Sequence, residues 1–346
     1  MLPALGNLQR KEAAPSWVPK WLDAKAKRVE GAGYRIVGPR RHSAVKICHY
    51  TKQDIRGKDV CYKCKFYGIS SSRCLQLTPV MFWCDFNCNF CWRNLGYTLP
   101  PAGFQWDSPD EIIDDAIKAQ RELLMGFWGS DADREKLAMT MEPKHVAISL
   151  SGEPCLYPYL PEFIDNLILK RKMTAYLVTN GAHPDMVRKL IQHQPTNLYI
   201  SVYGPDAETY QKTCSPNIEN PFPKVMESLS LMKHFTCRTV MRFTMTKDFN
   251  FKEPEAYSKI ISMAQPRCVE VKGYMNVGGA RTRLNAGNMP LHGEIMRFAE
   301  IVEKNTDYKI IDQKANSRVV LLQRPDVKPE EVMSDDDAFN GYSRFR

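Results

Sequence analysis

Five short apolar runs punctuate the chain: VAISLS (146–151), AYLVT (175–179), LYISV (198–202), VMRFTM (240–245) and CVEVKGY (268–274). Most are rich in β-branched or aromatic residues, and all are of strand length. Between them, near 159–171, 184–193, 222–235 and 254–264, the pattern turns helical. That alternation predicts βα units around a parallel sheet. Five or six such units make a partial or complete (β/α) barrel. Upstream, Ser108-Pro109-Asp110-Glu111 reads as a helix start, with a Ser cap, Pro in the first turn and acids at the positive end. Apolar spacing through Ile112, Ile113, Ala116 and Leu123 predicts that this helix runs to about Leu124. A short helix is expected around 17–27, inside a basic stretch broken by Pro15, Pro19 and Pro39. From Tyr308 the runs YKIID and RVVLLQR predict a hairpin, followed after Pro325 by an acidic tail expected to be mobile.

Composition narrows the class. The chain has 346 residues, 43% of them hydrophobic, enough to bury a sizeable core. No apolar run reaches the roughly 20 residues of a membrane span, and the N-terminus lacks a secretory h-region. The reading is therefore a cytoplasmic protein with no membrane association. The net charge of +9 favours a polyanionic partner, nucleic acid first. Eleven cysteines in such a chain point to metal or catalysis rather than disulfides. Seven of them fall between Cys48 and Cys91; Cys155, Cys214, Cys237 and Cys268 are scattered and read as small buried hydrophobes.

The run CDFNCNFCWRN places Cys84, Cys88 and Cys91 on one tight loop. Three thiolates at this spacing can hold three irons of a [4Fe–4S] cluster and leave the fourth open to a small molecule. The loop resembles that of the radical S-adenosylmethionine (SAM) enzymes. In those enzymes the amino and carboxylate groups of SAM chelate the open iron, and reductive cleavage yields a 5′-deoxyadenosyl radical. Upstream, Cys48, Cys61 and Cys74 recur every thirteen positions, and Cys64 adds a C-x2-C pair with Cys61. Spacing alone leaves two readings here: structural zinc on Cys48, Cys61, Cys64 and Cys74, or a second iron–sulfur cluster.

From about Cys48 to about Arg281 the chain is similar to the radical-SAM enzymes that make 4-demethylwyosine in tRNA. The resemblance rests on CYKCKFYGISSSRCLQLTP, the loop ending CWRN, SLSGEPCLYP, LVTNG and VEVKGYMNVGG. It implies an α/β fold, a partial (β/α)6 TIM-like radical-SAM barrel with an N-terminal cluster-binding extension. It also implies two [4Fe–4S] clusters, on Cys84, Cys88 and Cys91 and on Cys48, Cys61 and Cys74, with Cys64 a non-ligand. The Ser151-Gly152-Glu153-Pro154 motif would bind SAM, joined by Asn180 and Ser201. Lys63 would hold pyruvate as a Schiff base, with Lys65 as the fallback.

The reaction implied condenses N1-methylguanosine, 3′-adjacent to the anticodon of tRNA-Phe, with pyruvate to form the tricyclic base, a carbon–carbon lyase-type chemistry. The chain resembles the stand-alone archaeal type, so a separate electron donor is expected; nothing in the sequence suggests an obligate oligomer, and a monomer is the default expectation. The expected division is 1–78 for the basic extension with the second cluster, 79–305 for the barrel core and 306–346 for the hairpin and tail. For tRNA, Arg35, Arg40, Arg41, Lys46, Arg281 and Arg283 are candidate phosphate contacts, and Trp92 and Tyr97 candidate stacking platforms. The rivals are another radical-SAM enzyme (a methylthiotransferase or a glycyl-radical activase) and a zinc-bearing RNA-binding protein.

Overall fold

The structure, a computed structural model, describes residues 18–93, 96 and 98–327. Ten strands build one sheet: β1 (Arg35–Val37), β2 (Ser43–Val45), β3 (Cys74–Thr78), β4 (His145–Ile148), β5 (Thr174–Thr179), β6 (Asn197–Val202), β7 (Arg238–Met245), β8 (Cys268–Gly273), β9 (Lys309–Lys314) and β10 (Val319–Gln323). Their order is β1-β2-β3-β4-β5-β6-β7-β8-β10-β9. Neighbours from β3 to β8 run parallel. The two short N-terminal strands and the C-terminal hairpin extend the sheet antiparallel at either end. Six parallel strands form the expected partial barrel.

Eleven α-helices lie among the described residues: α1 (Lys20–Glu30), α2 (His49–Asp54), α3 (Tyr62–Tyr67), α4 (Pro109–Leu124), α5 (Arg134–Thr140), α6 (Leu160–Asp165), α7 (Pro184–Lys189), α8 (Ala207–Cys214), α9 (Pro221–Ser230), α10 (Pro254–Ala264) and α11 (His292–Lys304). The expected start of α4 is present as a capping box: Ser108 Oγ accepts from the Glu111 amide, and the Glu111 carboxylate accepts from the Ser108 amide. Ile112, Ile113 and Ala116 bury its apolar stripe. The helical pattern at 159–171 resolves into α6 and a π-helical turn, Asn166–Lys170.

Side chains alternate across each parallel strand, and the two faces carry different chemistry. Ala175, Leu177, Leu198, Ile200, Met241, Phe243, Val269 and Val271 belong to the main core under the helices. The residues between them, Tyr176, Tyr199, Val240 and Cys268, join a second, inner cluster with Tyr67 and Ile69. Helix α3 fills that inner face. Tyr67 donates to Glu270 at 2.7 Å, and the Tyr62 hydroxyl accepts from Arg242 at 2.7 Å. The segment that carries the upstream cysteines is therefore packed against the inner face of the barrel.

Candidate active site

The loop with Cys84, Cys88 and Cys91 follows β3 and is held by its backbone. The amides of Asn87 and Asn89 donate to the carbonyls of Cys214 and Thr213 at 2.8 and 3.0 Å, at the end of α8. Arg283 Nε donates to the Asn89 carbonyl at 3.1 Å, and its Nη2 donates to that of Cys91. Trp83 anchors the near side, packed edge-on against Phe104 at 4.7 Å and Trp106 at 5.4 Å. The three thiols face a cavity of about 310 Å³ that Ser151, Gly152, Glu153, Asn180 and Ser201 also line.

The expected strand at 146–151 stops at Ile148, because the following residues turn to build this wall. Gly152 has φ +70°, and a Cβ there would lie 1.7 Å from the Val80 carbonyl oxygen, so only glycine fits. The Glu153 amide donates to the Trp83 carbonyl at 2.9 Å and locks the motif to the cluster loop. The Glu153 carboxylate accepts from Thr179 Oγ1 at 2.6 Å, the Asn180 amide at 2.8 Å and the Cys155 amide at 2.9 Å. Burial raises its pKa, with nearby Asp85 adding to that and His183 opposing it. Pro154 sits behind the cavity wall, opening the short turn Pro154–Leu156. Asp85, inside the cysteine loop, is fully buried and accepts from His183 Nε2 at 2.7 Å and Asn180 Nδ2 at 3.3 Å. Burial opposes a charge on His183, but the Asp85 contact outweighs it and raises the pKa.

The upstream cysteines sit at element starts: Cys48 before α2, Cys61 before α3 and Cys74 at the head of β3. Two contacts draw these segments together: Thr51 Oγ1 donates to the Ser71 carbonyl at 2.9 Å, and the Cys61 amide donates to Ser71 Oγ at 2.8 Å. The three thiols lie within electrostatic reach of one another. Cys64 is half-buried against the inner tyrosine cluster.

Both sets are built of thiols screened from water. Burial pushes the Cys61 and Cys91 thiols up to about 11 and raises Cys74 and Cys84 as well. For Cys88 the contact with Cys214 comes first and burial second. Anionic sulfur here needs a compensating cation, which bound iron provides.

The two candidate lysines point in opposite directions. Lys63 is 8% exposed, with its ammonium over the rings of Tyr199 at 4.7 Å and Tyr176 at 5.3 Å. Burial and the Arg242 guanidinium lower its pKa. Lys65 faces outward and pairs with Asp312 at 2.5 Å. Two cavity residues, Arg242 and Lys272, were not singled out from sequence. Burial and Arg242 lower Lys272 to about 8. Their signal was available: each is a charge inside an apolar strand, on the inward beat of its alternation.

Several tRNA candidates are committed to internal partners. Arg40 pairs with Asp107 at 3.2 Å, Arg41 with Asp23 at 3.3 Å, and Lys46 donates to the Ala32 carbonyl at 2.6 Å. Arg35 lies on β1, and Arg281 Nε donates to the Asn276 carbonyl at 2.9 Å. Trp92 is 41% exposed at the cavity rim. Tyr97 lies outside the described residues.

A six-stranded parallel partial barrel with three thiols at one end of its cavity defines a radical-SAM protein. Accordingly, residues 78–260 match the Radical SAM superfamily and residues 263–324 match Wyosine base formation. The chain belongs to the S-adenosyl-L-methionine-dependent tRNA 4-demethylwyosine synthase family. It is 46% identical to the Pyrococcus abyssi synthase over 86% of this chain and 87% of that protein. With the Methanocaldococcus jannaschii synthase it shares 36% over 85% and 94%. A solved structure of TYW1 with a lysine-pyruvate adduct bound is 33% identical, with a TM-score of 0.79, and the match covers 90% of this chain and 99% of that one.

Proposed function

We propose that the chain forms 4-demethylwyosine from N1-methylguanosine beside the anticodon of tRNA-Phe and pyruvate. One observation carries the reading. A single cavity has the Cys84–Cys91 loop and the Gly152–Glu153 turn at one side, and inner-face cations leading to the Cys48, Cys61 and Cys74 set at the other. A [4Fe–4S] cluster and SAM, when bound, supply the hydrogen-abstracting radical. Cys84, Cys88 and Cys91 would hold that cluster, and the Ser151–Pro154 turn with Asn180 and Ser201 would seat SAM. The buried walls exclude water and fix the methyl group against the reacting centre.

Cys48, Cys61 and Cys74 would hold a second [4Fe–4S] cluster. Lys63 is the nucleophile for the pyruvate carbonyl: it is buried, its ammonium lies over the Tyr199 and Tyr176 rings, and burial lowers its pKa. The adduct in the related TYW1 structure supports a lysine in this role. Lys65, held by Asp312 at the surface, is the weaker choice. A separate reductant supplies electrons, and the chain acts as a monomer in the cytoplasm, where its thiols stay reduced. We keep the division at 1–78, 79–305 and 306–346 as one of role, since strands from all three parts share the sheet.

The test is anaerobic turnover of tRNA bearing N1-methylguanosine with SAM and dithionite. A tricyclic nucleoside that forms only when pyruvate is added is expected. Methylthiolation of the tRNA, or product without pyruvate, would contradict the reading.

A further inference from the structure

Cations and aromatic rings alternate along the inner face. Lys63 lies over Tyr199 at 4.7 Å, and Arg242 lies over the same ring at 4.4 Å. Arg242 is also 5.9 Å from the Tyr62 ring, and Lys272 lies over Tyr62 at 5.2 Å. The row runs from the helix that follows Cys61 to the cavity lined by the SAM-binding turn. The Cys61 thiol lies within electrostatic reach of both lysines.

The three cations are not equivalent. Glu270 accepts from Arg242 through Nε at 2.9 Å and lies 2.8 Å from its Nη2. The Tyr62 hydroxyl takes a further bond from Nη2 at 2.7 Å, and Tyr67 occupies the other Glu270 oxygen. Arg242 is thus neutralised and its fork is spent. Lys272 donates once, to the Ser317 carbonyl at 2.7 Å, and among the described residues it has no ion pair. An ammonium carries three donors, so Lys272 brings unspent hydrogen-bonding capacity and a charge with no carboxylate in direct contact to the cavity wall. A cation largely withdrawn from water is normally matched by an opposite charge.

A keto acid needs two different partners: an amine nucleophile for its carbonyl and a cation for its carboxylate. We propose that Lys272 is the carboxylate anchor for the keto acid whose carbonyl Lys63 takes. This rests on the Lys63 reading above. Lys272 selects for an α-keto acid over a neutral carbonyl compound and turns the carbonyl carbon toward Lys63. Arg242, clamped by Glu270 and Tyr62, spaces the two lysines.

The test is cyanoborohydride trapping on the reconstituted holoenzyme, with the adduct located by peptide mass spectrometry. Pyruvate is compared with pyruvamide, which keeps the carbonyl and lacks the charge. Wild type is expected to trap pyruvate on Lys63 at far lower concentration than pyruvamide, and Lys63→Met to trap neither. In Lys272→Met the half-saturating pyruvate concentration should rise about tenfold or more, the loss of one charge-assisted contact, with pyruvamide unchanged. Lys272→Gln keeps a donor for Ser317, removes the charge and should behave alike. Unchanged pyruvate trapping in these variants, or an equal fall for both compounds, overturns the anchor while leaving Lys63 in place. An adduct that persists in Lys63→Met overturns the Lys63 reading and the anchor with it.

Discussion

The two cysteine sets are built in opposite ways. Cys84, Cys88 and Cys91 share one irregular loop, and its shape is imposed from outside by Arg283, by the end of α8 and by Trp83. Cys48, Cys61 and Cys74 come from three regular elements, two helix starts and a strand start, brought together by the packing of α3 into the barrel. The loop set adjoins the Gly152 turn, while the upstream set adjoins the lysines. On the proposed reading, the difference separates radical generation from handling of the second substrate, on two sides of one cavity.

The largest effects should come from splitting that division of labour. Cys88→Ala is expected to abolish both tricycle formation and 5′-deoxyadenosine release. Cys61→Ala is expected to abolish the tricycle while SAM cleavage continues, as chromatography of both products would show. Loss of SAM cleavage in both variants would mean that the two sets do not have separate roles.

Gly152→Ala comes next. It forces a Cβ onto the Val80 carbonyl oxygen at 1.7 Å and a side chain into φ +70°. A cost of about 1–3 kcal/mol is expected, paid locally in the turn. SAM binding by equilibrium dialysis should weaken at least about tenfold, the equivalent of 1.4 kcal/mol, with iron content kept. Normal SAM affinity would show that the turn is not the seat.

The smallest effect belongs to Lys65→Met. Its pair with Asp312 is half-exposed, with 47% of the lysine side chain accessible, and such pairs are worth about 0–1 kcal/mol. Pyruvate trapping should match wild type. A loss comparable to that of Lys63→Met would move the nucleophile to the surface lysine.

Much of this was legible in the chain. The five apolar runs fall on β4 to β8, the Ser108 start is a capping box, and the C-terminal hairpin is present. The cysteine loop and the Gly152 turn share a cavity, as their motifs implied. What escaped was short or non-local. Helices α2 and α3, of six residues each, are too brief to show a period and exist because tertiary packing holds them. The first parallel strand, β3, begins at Cys74, so the motif spacing masked its strand pattern. Arg242 and Lys272 each interrupt an apolar strand as a charge. Only the alternation of faces, with Tyr176 and Tyr199 inward beside them, reveals a charged interior. Arg40 and Arg41 looked free for phosphate, yet carboxylates far along the chain or on α1 claim them.

The central claim, two clusters of distinct role around one cavity, is tested most directly by iron content with electron paramagnetic resonance after anaerobic reconstitution. The measurement compares wild type with the Cys48→Ala/Cys61→Ala/Cys74→Ala triple variant. About eight irons in wild type and about four in the variant are expected, at four per cluster. The wild-type spectrum should respond separately to SAM and to pyruvate, and the variant to SAM alone. About four irons in both proteins, or zinc lost with the upstream cysteines, would contradict the account.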